Sequence, residues 1–155
     1  MKSFLTITNF KLGQKGFTLT ELVIIIVTLG ILAAVAIPKF SDMAESSKVS
    51  ATKQELAALK RAIIGNPQAV SGGKYVDRGF EGDVGAPPNS LNDLATKPDT
   101  ISAYNKFTSL GWNGPYIDDD ENSYLTDAWG SAYIYQRSTR TILSVGGSDT
   151  LSVSF

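Results

Sequence analysis

The hydrophobic pattern of the chain is dominated by one uninterrupted apolar run. It covers residues 17–37, a stretch of 21 residues in which Glu21 is the only charged side chain. A helix needs about 20 apolar residues to cross the hydrocarbon core of a bilayer, so this run predicts a transmembrane helix. A carboxylate inside such a segment costs about 2.5–3.5 kcal/mol on insertion scales. We therefore expect Glu21 to have a function.

The apolar run gives way to an amphipathic pattern over residues 38–64. Side chains on one helical face recur there at alternating spacings of three and four residues: Val49, Thr52, Leu56, Leu59 and Ile63. Gly65 and Pro67 follow, and both residue types end helices. The pattern predicts one long helix over residues 17–64, whose later part packs an apolar stripe against a globular head.

The rest of the chain predicts a small head of mixed structure. Residues 70–89 are rich in glycine and turn residues, which favours a long surface connection. Ser90, with Asp93 three residues later, predicts the start of a short helix. Two segments rich in β-branched and aromatic residues, 131–136 and 140–145, predict a hairpin, and residues 151–155 form either a further strand or a frayed end. The predicted fold class is α+β, with a long helix packed against a small antiparallel sheet.

Composition excludes several kinds of chemistry. The 155 residues include neither cysteine nor histidine, so the chain has no disulfide, thiol nucleophile, usual zinc ligands or Ser-His-Asp triad. The 14 basic and 15 acidic residues nearly balance and leave no basic face for nucleic acid. The acidic and basic side chains of Asp77, Arg78, Glu81 and Asp83 form no recognisable catalytic arrangement. We expect no enzyme and no catalytic residue.

A resemblance to a known family rests on the start of the apolar run. Residues 15–21, Lys-Gly-Phe-Thr-Leu-Thr-Glu, precede an unbroken apolar helix and resemble the start of type IV pilins and type II secretion pseudopilins. The resemblance implies that residues 1–16 are a leader, removed by a prepilin peptidase that cuts between Gly16 and Phe17. It also implies N-methylation of the new N-terminal Phe17.

The same resemblance implies a domain organisation and a conformational change. Residues 17–37 would be the transmembrane and assembly half of the helix, residues 38–64 its amphipathic half, and residues 65–155 the periplasmic head of a pilin fold. Gly30 and Pro38 match the positions between which the helix is unwound in pilin filaments. Their chemistry agrees, because glycine lowers helix propensity and an interior proline removes a hydrogen bond. We expect local melting of this stretch on assembly.

Two further sequence motifs indicate which members of the family the chain resembles most. GWNGPY at 111–116 and TDAWGSAYIY at 126–135 resemble patterns of the major pseudopilin of type II secretion, and residues 144–149 resemble a degraded form of the turn that follows them. Many type IV pilins close their C-terminal region with a disulfide, so the lack of cysteine also favours a pseudopilin. Trp112 and Trp129 themselves are expected to anchor loops, with each indole N–H donating to a partner.

The densest charge in the chain is the run of acidic residues that includes Asp118, Asp119 and Asp120. Calcium binds six to eight oxygen ligands, and such a run supplies them in principle. The acidic loop that binds calcium in major pseudopilins has no counterpart after residue 149, so these three aspartates are weak calcium candidates. A solvated acidic turn is the favoured interpretation. We expect no other cofactor.

Assembly chemistry follows from the implied cleavage. A cut after Gly16 creates an ammonium at Phe17, which can pair with Glu21 of a neighbouring subunit inside the bilayer. Pairing offsets much of the cost of a desolvated carboxylate. The partners implied are further copies of this or related pilins, the prepilin peptidase and an inner-membrane assembly platform.

The sequence favours a pseudopilin that polymerises from the bacterial inner membrane into a periplasmic pseudopilus for protein export. A subunit of a surface type IV pilus, serving adhesion, motility or DNA uptake, is the alternative. A tethered ligand- or calcium-binding module that never polymerises is a third possibility. An ordinary signal peptide cut after Ala36 and an uncut anchor also compete for the N-terminal segment, but both leave Glu21 without a role.

Overall fold

A computed structural model describes residues 16–118 and 123–155 of the chain. Two α-helices are present among the described residues, α1 (Leu19–Ile64) and α2 (Gly79–Val84), with short 3-10 turns at Leu91–Leu94 and Ser123–Leu125. The strands are β1 (Val70–Ser71), β2 (Lys74–Tyr75), β3 (Ile134–Gln136), β4 (Thr141–Ser144) and β5 (Leu151–Ser154). This arrangement confirms the predicted α+β class. Asp119, Asp120 and residues 1–15 lie outside the described residues.

The chain divides into two compact units, and α1 contributes to both. The first ends at Ser41 and the second begins at Asp42. In the first unit, most of the described residues form the apolar part of α1, and the large apolar side chains between Leu19 and Ile37 are all exposed. This helix is long and apolar enough to cross a membrane, and no part of its most apolar stretch is buried.

Helix α1 is continuous through both residues that were expected to weaken it. Gly30 and Pro38 lie inside the 46-residue helix. Past the proline, the Ser41 hydroxyl donates to the Ile37 carbonyl oxygen at 3.4 Å. A proline removes one backbone donor but leaves neighbouring turns free to bond. The chain thus holds the helical form here, and melting on assembly stays a prediction.

The second unit is built on the predicted stripe of α1. Thr52, Leu56, Leu59 and Ile63 are buried, and Val49 is half-buried. Together with Ala62 they pack in one core with residues of the head: Phe80, Leu91, Leu94, Tyr124, Tyr133 and Ile142. Each fully buried aliphatic side chain contributes about 1.5–3 kcal/mol, so this core holds the head on the helix.

The end of α1 also agrees with the prediction. Gly65 adopts the left-handed conformation, with φ +76°, and its N–H donates to the Arg61 carbonyl oxygen at 2.7 Å. Glycine favours this conformation because it has no Cβ atom. A Cβ atom on Gly65 would also lie 2.3 Å from the carbonyl oxygen of Asp77. Gly65 therefore ends α1, and its lack of a side chain lets the backbone at Asp77 pass close to it.

The prediction that residues 70–89 form only a surface connection is wrong. They contain the β1–β2 hairpin, in which Val70 pairs with Tyr75, and the helix α2, whose Phe80 is buried in the core. The glycines that suggested a loop serve close packing: a Cβ atom on Gly79 would lie 2.2 Å from the Gly65 nitrogen. Glycine at a backbone crossing has the same sequence appearance as glycine in a turn.

The C-terminal part of the head is a three-stranded antiparallel sheet in the order β3–β4–β5. Tyr135 pairs with Ile142, and Ile142 pairs with Val153 on its other side. This confirms the predicted hairpin, and of the two alternatives left open for residues 151–155 the structure shows the strand. The short turn after Ser90 is also confirmed, since Asp93 accepts hydrogen bonds from the Ser90 N–H and hydroxyl.

Candidate functional site

The carboxylate of Glu21 caps the start of its own helix. Its Oε2 atom accepts hydrogen bonds from the N–H and the hydroxyl of Thr18, both at 2.8 Å. In return, the Glu21 N–H donates to the Thr18 hydroxyl oxygen at 3.2 Å. This is a capping box, in which a threonine at the N-cap and a glutamate three residues later satisfy each other's backbone donors.

The capping box adds a role that the sequence analysis did not assign to Glu21. The Thr-x-x-Glu spacing of residues 18–21 was visible in the sequence, but the family resemblance drew attention to the charge alone. Both bonds from Thr18 use Oε2, and no described residue donates to Oε1. A carboxylate accepts about four hydrogen bonds, so Glu21 keeps the capacity for a further partner while it caps the helix.

The predicted cleavage point lies beside this cap and is open. Phe17 is 75% exposed, and among the described residues no atom beyond the chain neighbours of Gly16 lies within 4 Å of the position that a Cβ atom on Gly16 would occupy. The helix begins at Leu19, two residues later than predicted, because Thr18 serves as its N-cap. Gly16 and Phe17 therefore precede the helix in a non-helical segment.

In the head, Asp127 is the centre of a hydrogen-bond network. Only 5% exposed, it accepts bonds from the Ser144 hydroxyl at 2.6 Å and from the N–H groups of Trp129, Ser131 and Gly146 at 2.9–3.1 Å. Burial acts to raise the pKa of Asp127, but these four bonds together outweigh it and hold the pKa below its usual value. The network joins the loop of residues 126–133 to the end of β4.

Asp127 also explains why glycine follows β4. A Cβ atom on Gly146 would lie 2.5 Å from the Oδ2 atom of Asp127. The degraded turn at residues 144–149 is thus the segment that supplies a hydroxyl and an amide to this carboxylate. The string at residues 126–135 includes Asp127, but the sequence alone assigned a role to Trp129 and none to the aspartate two residues before it.

The two tryptophans pack as predicted and find partners for their indole N–H groups. Trp112 donates to the Asp93 carbonyl oxygen at 2.9 Å and meets the Tyr116 ring edge-on, with centroids 5.8 Å apart. Trp129 donates to both carboxylate oxygens of Glu45, on α1, at 3.1 Å. Each tryptophan therefore connects its own loop to another part of the chain: Trp112 to the segment at Asp93, and Trp129 to α1.

Two more polar contacts tie the same loop to α1. The Thr52 hydroxyl oxygen accepts the Ala128 N–H at 3.2 Å, and the Tyr133 hydroxyl donates to the Glu55 carboxylate at 2.6 Å. Burial, and then the bond to Glu55, raise the pKa of Tyr133. Helix α1 therefore contacts the head both through its buried apolar stripe and through the polar side chains of Thr52 and Glu55.

Comparison with proteins of known name finds relatives along most of the chain. The chain is 33% identical to the type IV major fimbrial protein FimA of Dichelobacter nodosus over 113 residues. The match covers 72% of this chain and 69% of the relative. The chain belongs to the type IV pilin family. It is also 27% identical over 136 residues, 88% of this chain and 78% of the relative, to the type II secretion system core protein G of Xanthomonas campestris.

Other relatives match a shorter part of this pilin-like chain. It is 37% identical over 89 residues to a fimbrial protein of Pseudomonas aeruginosa, and that match covers 56% of the relative. The chain thus spans about half the length of such fimbrial relatives. No model of a protein family and no solved structure matches the chain.

The charged residues of α2 and its surroundings form no common site in the described part of the chain. They make three separate ion pairs: Arg61–Asp77 at 3.0 Å, Arg78–Asp83 at 3.6 Å and Arg140–Glu81 at 2.6 Å. The hydrogen bond from Arg140 lowers the pKa of Glu81. These pairs link loops and strands, and each carboxylate has its own cation.

The calcium candidates remain an open prediction. Asp118 is exposed, whereas Asp119 and Asp120 lie outside the described residues. Within residues 16–118 and 123–155, no three acidic, histidine or cysteine side chains are grouped closely enough to hold a metal ion. The structure therefore neither places nor contradicts a site in this acidic run.

Proposed function

We propose that this chain is a structural, non-enzymatic subunit of a filament that assembles from membrane-anchored precursors. The observation that carries the proposal is Glu21, a carboxylate at the start of a helix whose next large apolar side chains are all exposed. Such a surface needs lipid or neighbouring helices around it. A lone helix of this kind is stored in a bilayer, and several can bundle through their apolar sides.

Processing would prepare the subunit for assembly. A prepilin peptidase would cut between Gly16 and Phe17, and methylation of the new amine would leave a secondary ammonium at Phe17. Glu21 of a neighbouring subunit would accept this ammonium, and its Oε1 atom is available while Oε2 caps the helix. The charge pair would select one axial stagger between subunits, because an unpaired charge in the bilayer is costly.

The domain organisation follows from this role. Residues 1–16 would be the removed leader and residues 17–37 the membrane-spanning and assembly segment, with residues 38–64 and 65–155 on the periplasmic side of the inner membrane. An assembly platform in that membrane would pass subunits to the filament. Local unwinding between Gly30 and Pro38 would accompany this transfer.

We favour a pseudopilin of type II secretion, most like the major subunit, over a surface pilus. Similarity to core protein G extends over 88% of this chain, and the Trp112 and Trp129 strings resemble that class. The identity to fimbrial proteins is higher over shorter segments, which supports a surface type IV pilus as the second candidate.

The first test is the N-terminus of the membrane-extracted protein, measured by intact mass and terminal peptide analysis. A start at N-methylated Phe17 is the expected result. A start at Ile37 would identify an ordinary signal peptide and an intact Met1 an uncut anchor, and either would overturn the filament proposal. Glu21→Ala should then be inserted and cut but should fail to form filaments.

A complementation pair separates the two candidates. The chain would be expressed in one host that lacks its major pseudopilin and in another that lacks its major pilin. Restored export of a secreted protein without surface filaments favours the pseudopilin. Restored surface filaments without export favour the pilus.

A further inference from the structure

A row of exposed apolar side chains continues past the end of the apolar run of α1. Its members are Ile37, Phe40 and Met43, and the last two are 69% and 68% exposed. Residues three apart in a helix are neighbours on its surface, so the three side chains adjoin one another. The row also continues the exposed apolar surface that precedes it, which sets it apart from a singly exposed residue.

The described part of the chain leaves this row uncovered. Residues 37–44 are all exposed, and the first described side chain of α1 that bonds to the head is Glu45, through Trp129. Glu45 follows Met43 by two residues, which is about 200° around the helix, so these two side chains lie on nearly opposite sides. The row therefore needs a covering that the described residues do not supply.

The position of the row along α1 indicates what this covering is. A helix rises about 1.5 Å per residue, so Phe40 lies about 4.5 Å beyond Ile37 and Met43 about 9 Å beyond it. A bilayer of about 40–45 Å has a hydrocarbon core of about 30 Å, which leaves a headgroup layer of about 5–7 Å on each side. With the membrane span ending at Ile37, Phe40 lies within this layer. Helical side chains lean toward the N-terminus, which here is toward the bilayer.

The charged residues beside Phe40 support the same position. Lys39 directly precedes Phe40, and among the described residues its ammonium has no ion-pair or hydrogen-bond partner. Lysine beside phenylalanine is typical of helix surfaces that bind the boundary of a bilayer, where anionic headgroups attract the cation. Asp42 lies about 7.5 Å beyond Ile37, where the helix would enter water. A neighbouring apolar helix would cover Phe40 but leave the Lys39 ammonium without a counter-charge.

We infer that Phe40 and Lys39 anchor α1 in a lipid headgroup layer, with the Phe40 ring inside the layer and the Lys39 ammonium on anionic headgroups. The inference rests on the proposed function, in which the subunit is stored in a bilayer. The anchor would also set the depth of the other end of the span. Leu19 to Ile37 covers about 27 Å, close to the hydrocarbon thickness of about 30 Å. The predicted cut after Gly16 would therefore be held at the opposite surface.

Cysteine labelling locates the headgroup layer directly, because the chain has no cysteine of its own. Ser41→Cys and Ser47→Cys are a matched pair that leaves Phe40 and Lys39 in place. The full chain is reconstituted in vesicles of phosphatidylethanolamine and phosphatidylglycerol and treated with a membrane-impermeant maleimide. Each rate is divided by the rate of the same variant in denaturant. We expect Ser41→Cys to react several-fold more slowly than Ser47→Cys, and equal rates would overturn the inference.

Two substitutions test the anchor in opposite directions, with Ser41→Cys as the reporter. Phe40→Ala removes the ring that holds this end in the layer, so labelling should become several-fold faster. Lys39→Leu removes the cation that keeps this end from sinking, so labelling should become slower. Phe107→Ala is the matched control, since Phe107 is an exposed phenylalanine of the head, and it should leave the rate unchanged. Shifts of the same sign from Phe40→Ala and Lys39→Leu, or no shift from either, would contradict the anchor.

Lipid dilution separates a headgroup layer from a second copy of the chain as the covering. Slow labelling of Ser41→Cys that persists as the lipid-to-protein ratio is raised stepwise supports contact with lipid. Labelling that becomes fast on dilution would show that another copy covers this stretch, and it would overturn the inference.

The outcomes also separate this inference from the proposed function. Absence of the unsubstituted chain from the membrane fraction of cells would overturn both. A membrane-held chain in which Ser41→Cys and Ser47→Cys react equally fast would overturn the anchor alone and leave the filament function intact. An unchanged thermal unfolding transition of the full chain in detergent shows that Phe40→Ala is folded.

Discussion

The two parts of α1 belong to one regular helix but present their apolar residues in opposite ways. Up to Ser41, large apolar side chains occur on every side and are exposed. From Asp42 onward, the buried residues form one stripe, and polar residues such as Glu45 and Glu55 lie beside it and contact the head. Backbone conformation therefore does not decide the surroundings of a helix; the distribution of apolar side chains around it does.

The largest expected effect comes from matched leucines in the two parts. Leu59 is 1% exposed and Leu32 is 66% exposed. Leu59→Ala should lower the free energy of unfolding of the head by about 2–5 kcal/mol, because it leaves a cavity in the core. Leu32→Ala should change it by less than about 0.5 kcal/mol. Denaturant unfolding of the full chain in detergent measures both, and equal effects would contradict the division of α1.

Asp127→Ala tests the contribution of the hydrogen-bond network around Asp127 to the stability of the head. The substitution leaves the Ser144 hydroxyl and three N–H groups without an acceptor, and we expect a loss of about 2–3 kcal/mol in the free energy of unfolding. Asp149→Ala is the control, since Asp149 is an exposed aspartate of the same region. A loss no larger than that of the control would mean that the network contributes little.

The same carboxylate makes the head sensitive to acid. The pKa of Asp127 is lowered in the folded chain, so its contribution to stability is complete above the ordinary pKa of about 3.9. That contribution is lost as the pH falls through the lower, folded pKa. Unfolding curves at successive pH values below about 5 should fall less steeply for Asp127→Ala than for the unsubstituted chain.

Local patterns in the sequence predicted the helix, its stripe and its end at Gly65, because each depends on residues close together along the chain. The segment 70–89 was misjudged because the role of Gly79 depends on a crossing with Gly65, 14 residues away. The role of Asp127 went unassigned for a similar reason: two of its donors, Ser144 and Gly146, lie on a later strand and turn. Periodicity contains no information on such tertiary contacts.

Alanine substitutions at two glycines, Gly146 in the head and Gly30 in the apolar part of α1, test the same difference and should have effects of intermediate size. Gly146→Ala should lower the free energy of unfolding of the head by about 1–3 kcal/mol, because the new Cβ atom would overlap the Asp127 carboxylate. Gly30→Ala meets no atom within 4 Å and should leave that free energy unchanged within about 0.5 kcal/mol. Tryptophan fluorescence during denaturation follows both variants. Destabilisation of the head by Gly30→Ala would link the two units in a way that we do not expect.

The smallest effect concerns the start of α1. Thr18→Val removes the hydroxyl that binds Glu21 but keeps the side-chain shape, so the first turn should fray. Loss of an N-cap of this kind corresponds to about fivefold faster hydrogen exchange at the first amides of the helix. Thr28→Val is the matched control: its hydroxyl bonds to the carbonyl oxygens of Ile24 and Ile25 within the helix, where such a bond adds no stability. Equal exchange in the two variants would show that the Thr18 hydroxyl does not hold the helix start.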